Sequence, residues 1–388
     1  MVKSFFYPFI FSDFYNNNFK LIITKMKEGE IYFNCEVDFL TGKITRYAKI
    51  GIVQENRKSE DRKKEHQTGN PREITIHARI LQTPNAKGLE SSLHNRFNFR
   101  RIHGEWFVLN DEEIQLVKAI GEELKHEQIE NLPYYESMQE ANEKLSNGET
   151  RDATSEELHL AERAKELTSQ ISILDAQKSI IRSQMIQFMP AESTEIPGVL
   201  TIDQSTGSPT FDKKRFIAEN PELVDKYQKV IPAKVSNKFS AAYKVNLKSA
   251  DSALHKQVQE LPKENHEFRM PNVQIDWTDE LQSLHASYLD LDRELESVTW
   301  ELNFVENKIK ASIGDYAEVT GIATWKRALG EEKTDLDTDA IKQHHFAIYE
   351  NYLLPAASKW SVHISPFRAY PIEIEPLEAK YPNLLIAK

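Results

Sequence analysis

Cysteine is nearly absent. Cys35 is the single one in 388 residues, so no disulfide can form within the chain. A reducing, cytoplasmic setting is the expectation that follows. No secretory leader is expected from the N-terminal residues either. Residues 1–19 are rich in Phe and Tyr, but Pro8 and Asp13 interrupt them and no small-residue cleavage site follows. The run is too short to cross a bilayer, so it reads as a strand or packing segment and no membrane partner is expected. Net positive charge is lacking too. The balance is −11, which argues against a chain coated throughout for nucleic acid.

The charge that is present is uneven. From Lys43 to His103, fourteen Lys and Arg stand against six Asp and Glu, so a basic module sits on an acidic remainder. The hydrophobic share of 40% and the length suit two or three globular domains, each with its own core.

The basic module has strand and helix signals in a mixed order. Leu21–Lys25, Gly29–Phe33 and Tyr47–Val53 are strand-like, and Leu40-Thr41-Gly42-Lys43 supplies turn chemistry for an antiparallel hairpin. Glu55–Gln67 is charged and free of Gly and Pro, a helix that ends at Thr68-Gly69-Asn70-Pro71. Ile74–Ile80 alternates as a strand. Lys87–Phe97 is helical, with Leu89, Leu93 and Phe97 on one face, and Asp111–Glu130 is a further helix. The order from Gly29 is ββαβα with a helix after it. The fold class expected is α+β: a small domain at 20–130, a polar linker at 131–154, then a mainly helical half.

That half reads as two copies of one pattern, 155–245 and 278–388, joined by a polar connection at 246–277 that Pro262 and Pro271 mark. Each copy opens with a long charged helix, Glu162–Phe188 or Leu281–Ile313. Each continues into a Gly-bearing strand, Pro197–Thr201 or Thr320–Thr324, then an acidic turn and a short helix. Asp212 precedes Tyr227, and Asp337 precedes Tyr352, by the same fifteen residues. Leu167, Ile171, Leu174 and Ile181 form a near-heptad stripe, as do Leu291, Leu295, Val298, Leu302 and Val305. Either a helical hairpin or a homodimer through these helices would bury it. His344-His345 beside Asp337 and Asp339 diverge by about 100° on a helix, so a surface pair is expected rather than a metal site.

The residues with chemistry to offer lie between Gly29 and Leu109. They are Gly29-Glu30-Ile31-Tyr32, Lys49-Ile50-Gly51, Arg62, Gln67–Pro71, Glu90 with His94, and Gly104-Glu105-Trp106-Phe107. In this order and spacing they resemble the GIY-YIG nuclease superfamily, most of all its phage and mobile-element branch, over about residues 20–125. The resemblance implies a three-stranded antiparallel sheet, one divalent metal ion and hydrolytic cleavage of DNA. It matches Tyr32 to the tyrosine of the first motif, Gly51 to the glycine of the second, Arg62 to the helix arginine and Glu90 to the metal-binding glutamate. Where the second motif has its tyrosine, this chain has Lys49.

Physical chemistry gives these residues matching roles. Hydrolysing a phosphodiester needs a metal to polarise the phosphoryl oxygen and help deprotonate water. One carboxylate, Glu90, with water in the other positions makes a plausible site for one Mg²⁺ or Mn²⁺. Arg62 is suited to the scissile phosphate, and Tyr32 to placing or deprotonating the attacking water. Lys49 can bind phosphate or, with a lowered pKa, act as a base. His94, one turn after Glu90, is either a neighbour of the metal's water shell or a structural histidine. Lys58, Arg62, Lys63, Lys64, Arg96, Arg100 and Arg101 are expected to touch DNA phosphates, with salt-dependent binding.

The second half offers less. Thr324-Trp325-Lys326 with Asp337 and Tyr352 is similar to the segment that trails the catalytic domain in some phage-type recombination exonucleases. No exonuclease carboxylate cluster accompanies it, so no second activity is inferred. The expected function is a metal-dependent DNA endonuclease with a helical module for DNA or partner binding. A non-catalytic adaptor that kept the nuclease fold is the alternative that Lys49 motivates, and a self-associating scaffold is compatible with both.

Overall fold

The computed structural model of the protein describes residues 26–54, 57–263, 269–270, 273–356, 358–368 and 377. The aromatic segment 1–19, the apolar run Leu21–Lys25 and Pro271 lie outside the described residues. The described chain divides into two compact units. Of the described residues, the first takes those up to His94, Glu105–Glu130 and Leu377; the second takes Asn95–Gly104 and those from 131 to 368.

The first unit is built on an antiparallel sheet. Strands β1 (Gly29–Val37) and β2 (Ile44–Gln54) form the hairpin, and β3 (Glu73–Thr83) pairs with the other side of β1. After β4 (Arg101–His103), β5 (Trp106–Val108) pairs with β2, with Lys49 opposite Trp106. The three strands expected are therefore joined by β5. Its short apolar run was too brief to stand out, and its pairing is with residues some sixty positions away. Ile31, Tyr32, Phe33, Asn34 and Cys35 of the central strand β1 are all buried rather than alternating, so both of its faces are covered.

Helices α1 (Ser59–Thr68), α2 (Ala86–Arg96) and α3 (Asp111–Glu143) accompany the sheet. Leu89 and Leu93 of α2 and Ile114 and Val117 of α3 are fully buried, one turn apart on each helix. Asn110 caps α3: its side chain accepts from Glu113 N at 2.9 Å while the Glu113 carboxylate accepts from Asn110 N at 2.8 Å. The stretch from Asn131, expected as linker, continues this helix to Glu143 despite Pro133. The reason is a buried stripe that runs on at helical spacing: Leu124, Gln128, Asn131, Tyr135, Met138 and Ala141. Tertiary burial at those positions outweighs the local cost of one interior proline.

The second unit carries a short strand, β6 (Thr150–Arg151), and two long helices, α4 (Ser155–Phe188) and α9 (Asp279–Ile313), packed along each other. The apolar stripe is thus covered by a helix of the same chain. After α4 come β7 (Glu195–Ile196), β8 (Leu200–Thr206), β9 (Thr210–Phe211), α5 (Lys213–Glu219), α6 (Pro221–Lys226), β10 (Gln228–Ile231) and β11 (Val235–Ala241). Two short helices follow, α7 (Leu247–Ala250) and α8 (Ser252–Gln259), capped by Asn246 and Asp251. They occupy a stretch expected as plain connection; those two polar residues are what nucleate them. After α9 come β12 (Glu318–Val319), β13 (Ala323–Leu329), β14 (Lys333–Leu336), α10 (Thr338–His344), α11 (Phe346–Glu350), β15 (Leu353–Leu354) and β16 (Ser358–Ile364).

The strands pair across this order. β8 pairs antiparallel with β16, and β11 with β13, each over seven residues. β9 pairs with β15 and β10 with β14. Asp212 caps α5 and Asp337 caps α10, each through a side-chain oxygen on a backbone N–H three residues on. The backbone N of Asp212 donates to the carbonyl of Tyr352 at 2.7 Å, and that of Asp337 to the carbonyl of Tyr227 at 2.7 Å.

Candidate active site

Tyr32 is the centre of the first unit's polar cluster. It stands opposite Gly51 in the β1–β2 register and is almost fully buried. Its ring lies directly over that glycine. A Cβ at Gly51 would fall 2.5 Å from the phenol oxygen and 2.7 Å from Cζ, so no other residue fits under the ring. The phenol oxygen is 3.1 Å from His66 Nε2. Burial pushes the phenol above its usual pKa, while a hydrogen bond and charge from Arg62 pull the other way; the charges of Glu105 and Glu90 are also felt there.

α1 delivers Arg62 and His66 together, because residues four apart share a helix face. The helix is anchored at both ends. Glu30 Oε1 accepts from Ser59 N at 3.0 Å, meeting one of the open N–H groups of the first turn. At the other end the Gln67 amide donates to the carbonyls of Asn70, at 3.1 Å, and Arg72, at 2.8 Å, and accepts from Ile74 N at 2.8 Å. Gln67 and Asn70 in the Gln67–Pro71 run therefore fix the turn rather than a ligand. Arg62 Nη1 also donates to Glu65 Oε2 at 2.6 Å. His66 is held below the usual imidazole range by burial first, then by the positive charges of Lys49 and Arg62, so it is neutral at pH 7.

Lys49 pairs with Glu105 Oε2 at 2.5 Å. Burial alone would raise the Glu105 carboxyl; the hydrogen bond and charge of Lys49, with help from His94 and Arg62, bring it below its ordinary value. Glu90 is half-buried on α2, within electrostatic range of Tyr32. His94 is buried one turn later. Its Nε2 donates to the carbonyl of Ile50 at 3.0 Å and its ring packs on Phe107, which ties α2 to β2 beside Gly51.

Tyr32, Lys49, Arg62 and Glu90 are thus brought to one place, with two further groups: His66 and Glu105. His66 was legible in principle as the residue one turn after Arg62. Glu105 stood in the run Gly104–Phe107 without a role, since only the β2–β5 register sets it beside Lys49. Of the expected phosphate contacts, Lys58 caps α1 and Lys63 and Lys64 lie on it; Lys58 and Lys64 are exposed and Lys63 is half-exposed. Arg96, Arg100 and Arg101 have partners of their own, and Arg96 ends α2 while the other two fall in the stretch assigned to the second unit. Arg96 Nε pairs with Glu296 at 3.0 Å, Arg100 is 1% exposed, and the Arg101 guanidinium lies over the Phe367 ring.

No group of three or more His, Cys, Asp or Glu forms a metal cage among the described residues. The donor set at Glu90 suits a hard ion that keeps most of its water and takes oxygen from substrate, as Mg²⁺ does, and does not suit a zinc cage.

In this small α+β unit a buried tyrosine, an arginine and a histidine are gathered at one glycine. Residues 31–121 match the T5orf172 domain family, and that span contains every residue of the cluster. Comparison with curated proteins and with solved structures finds no match. No helix among the described residues is long and apolar enough to cross a membrane.

Proposed function

We propose that the first unit is a metal-dependent DNA endonuclease of the GIY-YIG kind. The observation that carries the reading is the Tyr32–His66 hydrogen bond with Arg62 beside it, within a domain linked to nuclease-like phage proteins. Arg62 holds the scissile phosphate and meets the charge that builds on it. Tyr32 orients the attacking water and passes a proton to neutral His66 as it takes one from that water. Glu90 is the residue that would hold one Mg²⁺ or Mn²⁺, which supplies Lewis-acid polarisation of the phosphate when bound. Lys49, paired with Glu105, orients a neighbouring phosphate. Lys58, Lys63 and Lys64 of α1 contact the flanking backbone. In the second unit, the shared order of elements and the reciprocal strand pairing support a duplicated module, the two copies each completing the other's sheet.

The test is nicking of supercoiled plasmid by the full chain with Mg²⁺ or Mn²⁺, against a Tyr32→Phe variant. Cleavage that falls by two orders of magnitude or more in the variant supports the reading. Cleavage at the wild-type rate in Tyr32→Phe refutes the tyrosine's role. A second reading, a DNA-binding adaptor, is favoured by one observation: Lys49 is already neutralised by Glu105. It wins if DNA binding persists in EDTA while no divalent ion supports cleavage.

A further inference from the structure

The two seven-residue strand pairs of the second unit are built alike, yet their outer faces differ in charge. In β11–β13 the fourth of the seven pairs sets Lys238 opposite Lys326. Directly opposed side chains on one sheet face stand about 5 Å apart, and like charges there destabilise the ladder. Both lysines are exposed, and neither has an ion-pair partner among the described residues. Lys234 lies exposed at the end of the same edge. Ser236, Ser240 and Thr324 flank the pair on the same face, and the one acid the register adds is Glu318, opposite Thr324.

The other pair is an internal control. In β8–β16 the fourth pair is Asp203 opposite Ser361, with His363 3.9 Å from Asp203 and Lys359 nearby on that face. The same strand length, register and position therefore do without an opposed lysine pair. Packing does not ask for the Lys238–Lys326 pair, and electrostatics opposes it.

We propose that the outer face of β11–β13 is a second DNA-contact surface, which grips the phosphodiester backbone of duplex DNA. Two ammonium groups at this spacing bracket a phosphate, and the surrounding hydroxyls donate to its oxygens. No aromatic side chain lies on the face to stack on a base, so the contact is to backbone and independent of sequence. The surface holds the substrate, while the first unit cuts it; in that respect the inference rests on the function proposed above.

The experiment uses the full chain in EDTA, so that cleavage does not interfere. Binding of a fluorescent 20-base-pair duplex is followed by anisotropy from roughly 50 to 200 mM NaCl, the range over which phosphate contacts are weakened. The Lys238→Ser/Lys326→Ser variant is expected to bind roughly tenfold more weakly at the low end. The slope of log affinity against log salt should fall by about one for each lysine. Its melting temperature should equal or exceed that of the wild type, because a repulsion has been removed, which separates lost contact from lost fold. Asp203→Asn should bind as the wild type does. Unchanged affinity and slope in the double lysine variant overturn the inference, as does a wild type that does not bind the duplex. Cleavage in Mg²⁺ is read separately. Lysine-dependent binding without cleavage keeps this inference and refutes the endonuclease; cleavage with lysine-independent binding does the reverse.

Discussion

Gly51→Ala is the sharpest structural test of the site. The added methyl would sit 2.5 Å from the Tyr32 oxygen and 2.7 Å from Cζ. Ordinary contact is about 3.5 Å, so the ring must move by about 1 Å. A shift of that size breaks the 3.1 Å bond to His66. Overpacking of a filled core and the lost bond to a buried hydroxyl together cost about 2–4 kcal/mol. Hydrogen exchange of peptides from β1 and β2 reads that cost locally, without assuming that the two units unfold together; protection should drop roughly 30- to 1000-fold. Cleavage should fall about 100-fold, since a misplacement near 1 Å suffices for that. Pairing the change with Tyr32→Ala should give back more than about 1 kcal/mol of the summed cost, because the clash needs both partners. Wild-type exchange in Gly51→Ala, or strict additivity in the double variant, would refute the placement of the ring over the glycine.

Three further outcomes follow from the same structure. His66 titrates below its ordinary value of 6.5, so stability should begin to decline as pH falls through 6.5, where the unfolded chain takes up the proton, and cleavage only lower, where the folded imidazole does. His66→Gln, which accepts a hydrogen bond but cannot take the proton, should lose most of the cleavage and show no acid limb in what remains; a pH–rate profile checks it. In the second unit, Arg151 and the Thr154 N-cap hold the Glu157 carboxyl down at about 2. The stabilisation, about 3 kcal/mol, is complete above pH 4.5 and lost as pH falls towards 2. Thermal melts of Glu157→Gln should show both the loss at neutral pH and a flattened acid dependence.

Much of the first unit was legible because its signals are local. Alternation and turn residues give the hairpin, and once β1 and β2 pair, Tyr32 faces Gly51. The caps at Asp212 and Asp337 were legible as acids before short helices. What was not legible is non-local. Lys49 reads as a free cation until the β2–β5 register brings Glu105 to it. Arg96, Arg100 and Arg101 read as a basic surface by charge alone, but Asn98 donates to the Leu289 carbonyl at 2.9 Å and the stretch folds into the second unit. Pro133 reads as a break until the buried stripe on either side of it is seen. Pairings such as β8 with β16 join strands more than 150 residues apart, and no local propensity encodes them.

The central claim is hydrolysis of DNA at the cluster around Tyr32, with a divalent ion held by Glu90. It is tested most directly by single-turnover cleavage of duplex DNA, with Mg²⁺ titrated against the wild type and Glu90→Gln. The account predicts saturable, ion-dependent cleavage in the wild type and at least a hundredfold loss in Glu90→Gln, with DNA binding in EDTA the same for both. Equal rates in the two proteins, or no cleavage by the wild type with Mg²⁺ or Mn²⁺, would contradict it.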